Sequence, residues 1–327
     1  LVGSEMCIRD SGNIDNINGL VVINGGLEDD TINIDDSANA ADKTGVLTAT
    51  MLRGLELEGG VDYTEAEDLN IWLGTGTDTF FIDSTHAGST QLYTGDGNAT
   101  PGQRDDTVAI RSVSGTTTVH GQAGNDGILV NVDYDGGIPP LVGTDAANDA
   151  QFVRTHENNI GAVLNLHGEG GSDHYTLNLA GTGDALINVH DNGASADGDD
   201  TLVINGADSV PGVNNQPDDT FLLRRDIVAL LNDSNPGDQT DFDRVERVNY
   251  DGNINAGLIV NGLGGDDEFF TDDNSTVTTL NGGSGADSYQ VGQVFGTART
   301  TDADIAFGDT FDTTPVIIGV VRHLSLI

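Results

Sequence analysis

The sequence predicts an all-β, right-handed parallel β-solenoid, in which short coils stack and their strands form ladders along one axis. Three observations predict it. Val, Ile, Leu and Thr alternate with polar residues in runs of four to six, which is strand periodicity. Glycine-rich acidic turns separate these runs, giving strand, turn, strand from Leu20 to Val291. The turns also recur at ordered intervals, and a unit too small to bury its own apolar face must stack on copies of itself.

Composition agrees with an array. The 327 residues include 45 glycines, only 5% are aromatic, and 53 Asp and Glu face 12 Lys and Arg for a formal charge of -41. So negative a surface argues against nucleic acid and anionic membranes as partners. No apolar run approaches the roughly 18 residues of a membrane helix. Cys7 is the only cysteine, so no internal disulfide can form. Residues 1–11, LVGSEMCIRDS, share nothing with the rest of the chain and resemble translated sequencing-adapter read-through; they are read as a non-native or linker segment. Residues 12–314 are read as one solenoid array and 315–327 as an off-pattern tail of a chain that continues.

Nine copies of the unit can be traced. Leu20–Ile34 carries Gly25-Gly26 and ends its turn on Asp30; Leu69–Ile82 ends on Asp78. Gln91–Ile110 has an expanded turn ending on Asp106, and Thr118–Val130 turns at Asp126. Ala162–Leu179 turns at Asp173, and Leu186–Ile204 has a second expanded turn ending on Asp200. A seventh copy reaches Asp218-Asp219, and the last two turn at Asp267 and Asp287. From Asp30 onward the steps are 48, 28, 20, 47, 27, 19, 48 and 20. The series repeats, giving a unit of about 95 residues that holds four coils of about 24, provided each long step hides a degenerate turn. Glu58–Asp62 and Tyr250–Gly252 are the expected hidden turns. Arg224–Asn232 is the best helical pattern, one or two turns inside an insertion.

Glycines let the turn fold sharply with its carbonyls to one side, and the closing Asp adds a carboxylate. Two such turns stacked one coil apart face a common space with oxygen ligands, which suits Ca²⁺. The bland alternative is an Asx-type turn that satisfies local amides without metal. GGSGADSYQV, from Gly282 to Val291, resembles the nonapeptide G-G-x-G-x-D-x-U-x of RTX (hemolysin-type) calcium-binding repeats, and GQAGNDGIL from Gly121 and GGLEDDTIN from Gly25 resemble it in part. That resemblance implies calcium as the cofactor, with Asp30, Asp78, Asp106, Asp126, Asp173, Asp200, Asp267 and Asp287 as metal ligands. It also implies an extracellular or cell-surface protein that folds after export. RTX repeats recur every nine residues with two turns per coil, whereas the present spacing does not imply sites on both edges.

The expected function is therefore a non-enzymatic, calcium-stabilised spacer or adhesive region of a large secreted or surface bacterial protein, with surface or matrix polysaccharide or protein as partners. A β-helix polysaccharide lyase or hydrolase is the alternative from another class, and a metal-free acidic scaffold is the third. The arginines that a lyase needs beside its carboxylates do not recur at coil spacing. His167, His174 and His190 near stacked turns are a transition-metal candidate, and Trp72 reads as a wall residue.

Overall fold

The computed structural model describes residues 5–8, 12–96, 105–134, 152–193, 198–209, 216–233 and 242–292. The tail at 315–327 lies outside them, as does most of segment 1–11, of which Glu5–Ile8 forms a strand paired parallel with Thr31–Asp35. The described residues form a parallel β-solenoid with two walls and no helix. The first wall has 12 strands and the second 11, and the chain crosses from one to the other at two corners. The corner from first wall to second is called outbound here, and the corner back is the return corner.

Inward side chains stack in rows. Ile34, Ile71, Leu92, Val119, Leu166 and Val189 form one row of the first wall. Phe80, Val108, Ile128, Tyr175, Leu202 and Leu258 form one row of the second. The rows meet in one continuous buried core. Each fully buried aliphatic or aromatic side chain contributes about 1.5–3 kcal/mol. Outside the core, polar ladders continue the register: Asn165, Asn188 and Asn249 are linked amide to amide at 2.8 and 2.6 Å, and Asn178, Asn205, Asn261 and Asn281 at 2.9, 2.8 and 2.8 Å. Trp72, Tyr93, His120 and His167 stack at 5.3, 4.4 and 5.3 Å between ring centres. Trp72 is thus a wall residue whose face is covered by Tyr93.

The bare coil is 20 residues with two strands, as from Asp106 to Asp126 and from Asp267 to Asp287. The average near 24 arises because insertions lengthen some coils. Two of the long steps contain antiparallel meanders. In the second wall, Thr44–Leu47, Met51–Gly54 and Leu57–Thr64 run back and forth between the parallel neighbours Thr79–Ile82 and Val21–Asn24. In the first wall, Thr220–Arg224, Ile227–Asn232 and Arg244–Tyr250 do the same between Glu268–Thr271 and Ala185–Val189. The third long step holds a hairpin of Val132–Tyr134 and Phe152–Arg154, whose Phe152 covers Phe81 at 5.8 Å.

Two sequence expectations are corrected here. Glu58–Asp62 is not a corner but part of the strand Leu57–Thr64, and its glycines serve close approach: a Cβ on Gly59 would lie 2.2 Å from the Leu20 amide nitrogen. Arg224–Asn232 is not helical. Its two turn residues, Arg225 and Asp226, join two strands whose apolar residues Phe221, Leu223, Val228 and Leu230 enter the core, so tertiary burial overrides local propensity. Tyr250–Gly252 does lie at a corner, leading out of Arg244–Tyr250.

The corners stack as tightly as the walls. A Cβ on Gly171, which has φ +125°, would stand 1.6 Å from the Gly124 carbonyl oxygen. Gly171→Ala is therefore expected to cost at least about 3 kcal/mol, combining a disfavoured backbone with a clash against main chain. A chemical-denaturation midpoint within error of the parent would contradict this.

Candidate metal centre

The aspartate that closes each turn directs its carboxylate inward, beneath the corner. Asp78, Asp106, Asp126, Asp173 and Asp200 stand one per coil at the outbound corner, each no more than 2% exposed. They are joined head to tail: the Asp78 N–H donates to Asp106 Oδ1 at 2.7 Å, Asp106 to Asp126 at 3.0 Å, Asp126 to Asp173 at 2.7 Å and Asp173 to Asp200 at 2.8 Å. The residue just before each Asp builds an outer column with the opposite sense: the Asn125 N–H donates to Asp105 at 3.1 Å, Ser172 to Asn125 at 2.9 Å and Asp199 to Ser172 at 2.9 Å. This explains the acidic doublets, since one side chain serves the coil before and the other the coil after.

The eight predicted residues do not form a single ladder. Asp267 and Asp287 stand at the return corner, where the Asp267 N–H donates to Asp287 Oδ1 at 3.1 Å. Asp219 heads that column, donating to Asp267 Oδ1 at 2.8 Å. Asp30 is also at the return corner, but its coil neighbour is Glu67, whose Oε2 accepts the Asp30 N–H at 2.8 Å. Columns thus occupy both edges, each on its own stretch of the rod. The meanders set the change: Lys43 immediately precedes the first strand of one and Asp219 the first strand of the other, and each heads a column on the edge it faces.

Lys43 holds the level that register assigns to Asp78, since Thr44 pairs with Thr79. Its N–H donates to Asp78 Oδ1 at 2.7 Å, while its ammonium, buried in the corner, bonds Asp15, Asp36 Oδ2 at 2.8 Å and the Leu55 carbonyl at 3.3 Å. Burial alone would lower the pKa of Lys43, but the bonds to Asp15 and Asp36 leave it raised. At the far end the column stops on Asn255, whose Oδ1 accepts the Asp200 N–H at 2.8 Å. The five carboxylates are bracketed by a resident cation and a neutral amide.

Between those ends the charge is uncompensated. Asp126 Oδ2 is buried there without a hydrogen-bond partner, as is Asp267 Oδ2 in the column at the return corner. Burial raises Asp78 to about 6 and, with the Asp78 and Asp105 charges adding, Asp106 to about 8. Asp126 is pushed well above the ordinary range by burial and by the Asp106 and Asp173 carboxylates. Asp219 behaves alike through burial and Asp267. Such a column must hold either protons or cations.

The turn carbonyls expected to join the carboxylates are partly spent. The Gly124 N–H donates to the Gly170 carbonyl and the Gly170 N–H to the Gln122 carbonyl, both at 2.7 Å, so stacked turns bond to each other. The histidines are not brought together as a site: His167 and His190 are 6.2 Å apart edge to face, while His174 opens a strand of the other wall. Among the described residues, the carboxylates of Asp173, Asp191 and Asp200 are the metal-type groups that converge. Sequence reasoning passed over Asp191, Asp219 as a ligand, and Lys43. The signal for the last was the Thr that comes after it, as Thr comes after Asp30, Asp78, Asp106 and Asp200.

These features define an acidic, two-walled parallel β-solenoid with carboxylate columns inside its corners. No family model, curated protein or solved structure matches the chain.

Proposed function

We propose that the chain is a calcium-stabilised structural repeat region, a spacer or adhesive rod of an extracellular or surface protein, in which Ca²⁺ neutralises the carboxylate columns. The observation that carries the reading is Asp126: 2% exposed, Oδ2 without a partner, and flanked one coil away on each side by Asp106 and Asp173. Gly121 supports it, because a Cβ there would lie 2.7 Å from that oxygen, so the glycine keeps its surroundings open. Oxygen-only, carboxylate-rich ligands match a hard divalent cation. The solenoid contributes the register that places one carboxylate per coil, and binding would couple neighbouring coils. Lys43 offers an internal precedent, since the first level of the outbound column, which lacks an Asp, supplies a cation of its own.

The test is thermal unfolding of the chain in EDTA and in millimolar Ca²⁺, monitored by far-UV circular dichroism. The expected midpoint is higher in calcium by about 5 °C or more, the linkage expected of sites well above saturation, on the order of 3–4 kcal/mol. Coincident curves would refute the proposal.

A further inference from the structure

The outbound column has one level unlike the rest. The pairing of Leu166 with Val189 carries Asp191 to the level of Gly168, and the pairing of His120 with His167 carries Gly168 to that of Gly121. Where two successive coils have glycine, the third places a carboxylate. Asp173, Asp191 and Asp200 are each 1% exposed, and one carboxylate oxygen from each lies within 4.8 Å of the other two. The Asp200 N–H is satisfied by Asn255 and the Asp173 N–H by Asp200, so neither needs Asp191, whose Oδ1 accepts a long bond from the Gly193 N–H at 3.4 Å.

A second, separate feature points to the same place. Tyr175 is wholly buried, and its hydroxyl has no hydrogen-bond partner. The position a Cβ would take on Gly168 is 2.3 Å from that hydroxyl and 2.2 Å from Asp173 Oδ2, so the two oxygens converge beside the glycine. The hydroxyl thus faces the carboxylate cluster. Among the described residues, no lysine or arginine closes this level as Lys43 closes the first.

We infer that Asp173, Asp191 and Asp200, with the Tyr175 hydroxyl beside them, form a discrete binding site for a hard divalent cation of calcium's class, tighter than the other levels of the column. Three carboxylates balance a doubly charged ion with one negative charge to spare, whereas other levels offer one carboxylate per coil. The inference rests on the calcium reading above for its choice of ion, and its own content is the role of Asp191.

The experiment is calorimetric titration of the metal-stripped chain with CaCl₂, alongside Tb³⁺ luminescence excited through tyrosine. The expected result is one step at least about tenfold tighter than the remainder, lost in Asp191→Gly while the later steps persist. Glycine already occupies this level in the two preceding coils, so Asp191→Gly should keep its β spectrum; Asp191→Asn, of nearly the same shape, is the second variant. Tyr175→Phe should lower the sensitised Tb³⁺ emission without removing the tight step. Titrations and emission unchanged in both Asp191 variants would overturn the inference and leave the column reading standing. A single tight step, lost in Asp191→Gly with nothing left, would uphold the inference and sink the column reading. A parent chain that binds no Ca²⁺ at millimolar concentration would sink both.

Discussion

In EDTA, the unfolding midpoint is expected to fall steadily as pH rises from 5 to 8.5, and calcium is expected to flatten or reverse that slope. Unfolded aspartates titrate near 4. In the folded chain Asp78 titrates at about 6, Asp106 at about 8 and Asp126 well above its ordinary range, with burial the first cause in each case. Between pH 4 and 8 the folded state therefore holds protons that the unfolded state has shed. Each such group stabilises fully below the unfolded pKa and loses that contribution as pH rises through the folded one. For Asp106 alone the span of about four units corresponds to on the order of 5 kcal/mol. Calcium reverses the logic, because its ligands must be ionised and binding strengthens as protons leave. The window begins at pH 5 because the Asp15 carboxyl, held below its usual range despite burial by Lys43 and Asn39, is stabilising only when ionised and acts oppositely in acid. Midpoints at five pH values, with and without calcium, provide the check, and parallel slopes in the two series would contradict it.

Lys43→Met is expected to be the most damaging single change outside the apolar core. Asp36 is wholly buried, and Lys43 supplies the charge that offsets it. Removing one partner of a buried pair leaves the other uncompensated, at a cost of about 3–5 kcal/mol. Replacing both, in Lys43→Met with Asp36→Asn, should recover more than half of the loss, since the desolvated charge is gone with its partner. Urea midpoints of the two single variants and the double variant measure this. A Lys43→Met cost below about 1 kcal/mol, or no recovery in the double variant, would show that the ammonium does not offset the buried Asp36 charge.

Much of the architecture could be read locally. Alternation around each Gly-Asp turn is a short-range signal, so Leu20–Ile34, Leu69–Ile82 and Thr278–Val291 were legible as strand, corner, strand, and their recurrence implied a stack. Asp267 and Asp287 stand one coil apart at the same corner, the Asp267 N–H donating to Asp287 Oδ1. What could not be read is which edge a corner occupies. That depends on how many times the chain crosses between walls, and LEGGVDYT looks like a turn because of two glycines, which in fact let the strand pass close to Leu20 at Gly59 and to Leu52 at Gly60. Lys43 was hidden because its role comes from register against Asp78, 35 residues away. Asp191 was hidden because it stands where the pattern has glycine, so nothing in its own segment marks it as a partner of Asp173 and Asp200.

The two meanders also bear on curvature. Four strand spacings separate Val21–Asn24 from Thr79–Ile82 along the second wall, against one between Thr31–Asp35 and Asp68–Trp72 opposite. Near the other end, four separate Ala185–Val189 from Glu268–Thr271 along the first wall, against one between Thr201–Asn205 and Gly257–Asn261. Each meander lengthens one side by three spacings, about 14 Å. A rod with a single such excess would have unequal arcs and would be obliged to bend toward its shorter side. Because the excesses fall on opposite sides, the arcs come back into balance, and the same two insertions that move the acidic columns from edge to edge also restore the heading of the rod.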